Sequence, residues 1–270
     1  MLGRKTASVV GIALGIACGI LVAGAAGWAA PVEAQTLVTP VDPAGWLIGP
    51  FGTPPPTDFV EGPDAPPFGV GSFETEIEVA ASKIILGRND YHDLPLSDLT
   101  ALSFWTYIDP AATNTNNWYI NLYLDADGDG TYETRLDYVP PSGMVMQGVW
   151  QFWDAFLGTY QVSTGGTSTL ADFLVANPDA RFNAFNDPMA LAVRWNMGDT
   201  ASNYVGFLGN LDGVRIAHAS VGDTTWDFDL EPDAPTVEIP TLSTLSLALL
   251  AGLLALAAAF LLRRRTARQR

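Results

Sequence analysis

Nine consecutive residues, Asp125-Ala126-Asp127-Gly128-Asp129-Gly130-Thr131-Tyr132-Glu133, have types and spacing that suit one kind of chemistry. Carboxylates at alternate positions, followed by a glycine that permits a sharp turn, match the D-x-D-x-D-G scheme in which hard oxygens surround Ca²⁺. The Thr131 carbonyl and the Glu133 carboxylate extend the set. The candidate metal ligands are therefore Asp125, Asp127, Asp129, Thr131 and Glu133. An EF-hand does not fit, because its twelfth position needs a bidentate Glu and holds Leu136 here, and no helices flank the loop. The competing reading is a solvated turn whose Asp and Gly residues only supply the backbone shape. Three neighbouring carboxylates repel one another, which favours a cation among them.

Two other groups of residues bear on chemistry. Trp150 and Trp153 are candidates for stacking a sugar ring, since residues three apart on a strand face opposite ways and one ring would stand exposed; core packing is the competing role. Glu74, Glu76 and Glu78 alternate along one strand and would share a face. A retaining glycosidase needs two carboxyl groups about 5–5.5 Å apart, which alternate strand residues can approach. The alternative function is thus a glycan-active hydrolase using Glu74 and Glu78, against the simpler reading of a wet strand face. Other schemes lack their residues. His92 and His218 form no metal-ligand pair, and there is no G-x-S-x-G elbow and no phosphate-cradling glycine loop.

The elements that must position these residues read as β-structure. Phe73, Thr75, Ile77 and Val79 alternate with glutamates, and Lys83–Leu86 and Leu99–Ile108 read as further strands. Trp118, Ile120, Leu122 and Leu124 alternate with polar partners before the Asp-rich loop, and Tyr132 to Tyr138 alternate after it, which predicts a hairpin. Met144–Phe156, Ala190–Asn196, Asn203–Leu208, Leu211–Ala217 and Thr224–Asp229 are predicted strands. Thr169-Leu170-Ala171-Asp172 followed by Phe173, Leu174 and Val175 predicts one short helix, capped by Thr169 and stopped at Asn177-Pro178. About nine short strands and one helix predict an all-β fold, a single β-sandwich spanning 71–231. The proline-dense stretch 35–70 holds too many aromatic residues for a free linker. It predicts an extended segment packed on the sandwich and contributing one edge strand, with 232–238 as a stem.

The ends predict export. Arg4 and Lys5 precede an apolar run from Ala7 to Ala26, and Val32-Glu33-Ala34 supplies the small-residue pattern for signal peptidase, giving a signal peptide over 1–34. At the other end, Leu245–Leu262 is an uncharged apolar run of about 27 Å as a helix, enough to span a bilayer. The cluster Arg263, Arg264 and Arg265, with Arg268 and Arg270, would hold that end in the cytoplasm. Between the ends, residues 35–238 contain no cysteine and carry six basic against 28 acidic residues, a net charge of −22. Nucleic acid is an implausible partner for that surface, whereas divalent cations suit it.

The order Ile239-Pro240-Thr241-Leu242, one span, arginine cluster resembles the IPTL-CTERM sorting signals of Gram-negative bacteria, relatives of the PEP-CTERM tails. That resemblance covers 239–270 and implies recognition by a membrane-embedded exosortase-type transpeptidase, removal of the tail and delivery to the cell surface or matrix. Family tails commonly continue Ser-Glu-Trp-Gly, whereas Ser243 is followed here by Thr244, Leu245 and Ser246. Leu211-Asp212-Gly213-Val214-Arg215-Ile216 resembles the closing strand of jelly-roll carbohydrate-binding modules and concanavalin-like domains. The motifs at Gly62–Pro67, Asp127–Gly130, Trp150–Asp154 and Ala176–Arg181 resemble, in order, a group of uncharacterised exosortase-sorted surface proteins. The resemblances imply a jelly-roll-like ectodomain and an association with exopolysaccharide or biofilm. The reading is a non-enzymatic exported protein that binds Ca²⁺ and polysaccharide. Its alternatives are the hydrolase above and a purely structural surface protein without a ligand.

Overall fold

The computed structural model describes residues 35–183 and 191–230. The expected signal peptide (1–34), the stem, the sorting motif Ile239–Leu242, the span and Arg263–Arg265 lie outside those residues. Among the described residues no helix is long and apolar enough to cross a membrane.

The strands in chain order are β1 (Gln35–Val38), β2 (Leu47–Gly52), β3 (Thr57–Glu61), β4 (Gly71–Ile77), β5 (Ser82–Arg88), β6 (Leu99–Ile108), β7 (Tyr119–Asp125) and β8 (Thr134–Tyr138). They continue with β9 (Gln151–Asp154), β10 (Thr159–Val162), β11 (Thr167–Thr169), β12 (Arg181–Phe182), β13 (Val193–Gly198), β14 (Phe207–His218) and β15 (Gly222–Phe228). The one α-helix among the described residues, α1 (Leu170–Ala176), sits between β11 and β12. One sheet runs β1-β15-β14-β4-β3, with β6 also on β14 and β9 on β6. The other runs β11-β10-β8-β7-β13-β5-β2, with β12 on β7. The fold is mostly β with one short helix, as the alternation predicts.

Large side chains join the two sheets. Phe104 of β6 meets Tyr138 of β8 at 6.2 Å and Trp195 of β13 at 6.4 Å between ring centroids. Trp46, just before β2, meets Trp195 at 5.4 Å and Trp226 of β15 at 5.5 Å, so the proline-dense segment supplies a central core residue. Trp118, Ile120, Leu122 and Leu124 are each fully buried, the apolar side of the alternation that marks the hairpin. At about 1.5–3 kcal/mol per buried large apolar side chain, this layer is the main source of stability in a domain without disulfides.

Several elements differ from expectation for identifiable reasons. The 35–70 stretch provides three edge strands rather than one: β1 pairs in parallel with β15, β2 with β5 and β3 with β4. Edge positions tolerate Pro50 because only one side of an edge strand needs donors. Residues 203–206 form a turn, and the predicted strands on either side of 209 are one strand, β14. A bulge reconciles its phase: Asp212 faces Trp105 and Arg215 faces Ser103, one residue more than the partner strand uses. Gly213 (φ +54°) occupies that bulge, where a Cβ would lie 2.5 Å from the Phe68 ring and 2.8 Å from Trp105. Of the predicted strand 144–156, only 151–154 forms a strand, Gln147 makes a lone parallel bridge to Ile108, and Ser142–Met144 form a 3₁₀ turn. The α1 cap is as predicted, with the Asp172 N–H donating to Thr169 Oγ1 at 3.1 Å.

Candidate metal centre

The Asp-rich loop joins β7 to β8, whose register (Ile120 opposite Tyr138, Leu122 opposite Leu136, Leu124 opposite Thr134) brings both ends of the loop together. Asp125 ends β7 with 1% of its surface exposed. Its Oδ1 accepts the Gly128 N–H at 2.7 Å and the Asp129 N–H at 3.2 Å, and its Oδ2 accepts the Gly130 N–H at 2.7 Å. Gly128 (φ +80°) and Gly130 (φ +91°) allow the chain to wrap this carboxylate. Asp127 Oδ1 takes the Asp129 N–H at 3.2 Å, Asp129 Oδ1 takes the Thr131 N–H at 2.8 Å, and Glu133 Oε2 takes the Ala126 N–H at 2.5 Å.

This folding gathers four of the predicted ligands. One carboxylate oxygen from each of Asp125, Asp127, Asp129 and Glu133 lies within 4.8 Å of the others. Only Asp125 is buried, so the cluster faces solvent. Thr131 is exposed and follows directly in the loop. Desolvation pushes the Glu133 carboxyl above its ordinary value. Repulsion from Asp125, Asp127 and Asp129 adds to this, while the hydrogen bond from Ala126 opposes it. A divalent cation would turn that repulsion into attraction, and an oxygen-only donor set suits Ca²⁺ rather than a soft metal.

Residues outside the loop brace it, and sequence reading did not single them out as part of the site. Asn183 Nδ2 donates to the Gly130 carbonyl at 3.2 Å. Gly128 packs on the 178–181 segment, where an added Cβ would stand 3.1 Å from the Asp179 carbonyl. The Ala176–Arg181 motif thus lies beside the Asp-rich motif in space. An open polar cavity of about 370 Å³ separates them, lined by Pro95, Ser97, Asp127, Gly128, Pro178, Asp179, Ala180 and Arg181.

The other predicted residues are not brought together. Trp153 is 6% exposed in the core, and its indole N–H donates to Thr106 Oγ1 at 2.7 Å. Trp150 precedes β9, is half-buried against Tyr107, and donates its N–H to the Pro63 carbonyl at 2.9 Å. Trp153 is enclosed and Trp150 is partly exposed; Phe152 is the more exposed ring of this segment, against Trp105 at 5.2 Å. Glu74 and Glu76 lie on β4, but the strand ends at Ile77, so Glu78 falls just past it and is exposed. Burial raises the Glu74 carboxyl, opposed by a hydrogen bond from Asn210 and reinforced by Asp109, Glu76 and Asp58.

A second set of carboxylates escaped sequence reading: Asp212, Asp227 and Asp229, each at most 1% exposed. Asp212 Oδ1 accepts the Phe228 N–H at 3.0 Å, and Asp229 accepts Val70 N–H at 3.2 Å and Leu230 N–H at 2.6 Å. Their signal was present in Leu211-Asp212-Gly213-Val214 and Trp226-Asp227-Phe228-Asp229, where aspartate stands inside otherwise buried strands.

No family model matches the chain, and no curated protein matches it. Among solved structures it is similar to the enzymatically active domain of bacteriophage CBA120 tailspike protein 4, with a TM-score of 0.35 and 12% identity. That match covers 63% of this chain and 19% of the tailspike chain. Similarity at this level identifies no activity.

Proposed function

We propose that the chain is an exported, non-enzymatic surface or matrix protein whose β-sandwich holds Ca²⁺ at Asp125, Asp127, Asp129, Thr131 and Glu133 and engages polysaccharide. The observation that supports the metal reading is the convergence of four carboxylate oxygens within 4.8 Å on a solvent-facing loop. Calorimetry with Ca²⁺ tests it: one equivalent binds the parent chain and none binds the Asp127→Asn, Asp129→Asn variant. Equal heats from both would sink it.

Export and sorting rest on the two ends of the chain. In this reading signal peptidase cuts after Ala34, the span holds the chain in the inner membrane, and an exosortase-type transpeptidase cuts near Ile239–Leu242. Mass spectrometry of the released protein then finds a C-terminus near Ile239. A chain that keeps Arg270 in the membrane points instead to a permanent anchor.

A further inference from the structure

We propose that the cavity beside the Asp-rich loop is a subsite for a carboxylated sugar, a uronic acid residue of a polysaccharide, held between the loop's cation and Arg181. The inference rests on the Ca²⁺ reading above and names the ligand class of that site.

Three observations carry it. First, the cavity shares a wall with the cluster: Asp127 and Gly128 line it from the loop side, and Arg181, Asp179 and Ser97 line it from the other. Asp127, Asp129 and Glu133 are exposed, so a bound ion keeps coordination positions turned to solvent. Ca²⁺ takes six to eight oxygens, more than this loop supplies, and the remainder come from water or a ligand.

Second, Arg181 is one of only six basic residues between 35 and 238, and it is not spent on the cluster. Its Nη1 donates to the Asp93 carbonyl at 2.8 Å and lies 3.8 Å from Asp93 Oδ1. These contacts fix the direction of the guanidinium, and among the described residues its other two nitrogens make no hydrogen bond. The side chain is 41% exposed. A planar fork of this kind takes a carboxylate through two parallel hydrogen bonds.

Third, the remaining walls suit a ligand with hydroxyl groups. The Asp179 carboxylate and Ser97 hydroxyl can accept from ligand hydroxyls, and the Pro95 and Pro178 rings offer apolar floor to a pyranose C–H face. Inorganic phosphate brings one or two O–H donors but no C–H face for the proline rings. A uronic acid supplies both parts: a carboxylate for the cation and Arg181, and hydroxyls for Asp179 and Ser97.

The test is calorimetric titration of the full-length chain with trigalacturonate, a neutral galactose trisaccharide and inorganic phosphate, each with Ca²⁺ and with chelator. Trigalacturonate binds only with Ca²⁺, and the neutral trisaccharide and phosphate do not. Arg181→Gln weakens trigalacturonate binding roughly tenfold to a hundredfold, the loss of a charge-assisted pair, while the chain still takes up one equivalent of Ca²⁺. Arg181→Lys, which keeps the charge without the fork, falls between. Ca²⁺ uptake without trigalacturonate binding overturns this inference alone. So does equal binding of the neutral sugar, equal binding of phosphate, or indifference to Arg181→Gln. Absence of Ca²⁺ uptake overturns the metal reading, and this inference with it.

Discussion

The molecule carries two carboxylate clusters that fold by the same device and end in opposite environments. In the β7–β8 loop, Asp125, Asp127, Asp129 and Glu133 accept backbone N–H groups from the loop and leave three of their four carboxylates in water. Beside β14 and β15, Asp212 and Asp229 also accept backbone N–H groups, but there the acceptors tie the 68–71 segment and the end of β15 to the sheet and are sealed from solvent. Gly69 (φ +52°) shows how tight the seal is: a Cβ there would lie 2.3 Å from Asp229 Oδ2 and 2.9 Å from Asp227 Oδ2. An exposed cluster keeps its repulsion small through water and keeps an entrance for an ion. A buried cluster turns carboxylates into structural acceptors, at the cost of their hydration. The comparison leaves the first open to a ligand, as proposed above, and gives the second a role in cohesion.

The largest expected effect belongs to the buried side. Asp229→Ala leaves the Val70 and Leu230 N–H groups without their acceptor and is expected to lower unfolding free energy by about 2–6 kcal/mol, at about 1–3 kcal/mol for each of the two orphaned donors. Urea denaturation reads this directly, and a loss below about 0.5 kcal/mol would place Asp229 among ordinary surface residues. On the exposed side, the Asp127→Asn, Asp129→Asn variant is expected to unfold without metal no more easily than the parent, because repulsion has been removed.

Calcium gives the next effect. At a hundredfold excess over its dissociation constant the ion stabilises the chain by about 2.7 kcal/mol. For a domain of this size that raises the thermal midpoint by about 5–10 °C. The double Asn variant loses the shift, whereas Asp229→Ala, though less stable, keeps it. A shift that disappears in Asp229→Ala instead would move the ion to the buried cluster.

A smaller effect sharpens the contrast through pH. Burial pushes the Asp212 carboxyl well above its ordinary value, aided by Asp227 and opposed by N–H groups of Phe228, Gly213 and Phe68. The folded state therefore binds this proton more tightly than the unfolded one. The penalty for ionising Asp212 is absent below about pH 3.8, its ordinary value, and grows as pH rises toward its folded value. Metal-free stability then falls with rising pH across that window by the contribution of this group. Asp212→Asn, which keeps an acceptor for Phe228, is expected to flatten the slope; an unchanged slope would mean that Asp212 titrates alike in the folded and unfolded states.

How much of this was legible before folding follows from which interactions are local. The β7–β8 hairpin and the Thr169 cap are written in neighbouring residues, since alternation and capping act over two to four positions. The Asp-rich carboxylate cluster was legible for the same reason. The bulge at Gly213 was not, because it is imposed by Phe68 and Trp105 packing on that glycine from distant parts of the chain. Burial of Trp153 depends on the same kind of long-range pairing, through Phe104 of β6. The role of residues 179–183 as a brace depends on β12 pairing back onto β7, Arg181 opposite Asp125. No local pattern announces a two-residue strand.

That pairing sets the last and smallest test. If β12 and the adjoining Asn183 hold the loop ready for an ion, the metal-free loop is already close to its bound shape, and part of the ordering cost has been met in folding. Asn183→Ala removes the donor to the Gly130 carbonyl and nothing from the ligand set. A net hydrogen bond of about 0.5–1.5 kcal/mol acting only through preorganisation predicts a threefold to tenfold loss of Ca²⁺ affinity, at unchanged stoichiometry. The buried cluster supplies the control, since nothing in it touches Asn183 and the metal-free urea midpoint should barely move. Unaltered affinity would mean that the loop closes around its ion without help from the rest of the sandwich, which would make the Asp-rich nonapeptide alone the binding unit.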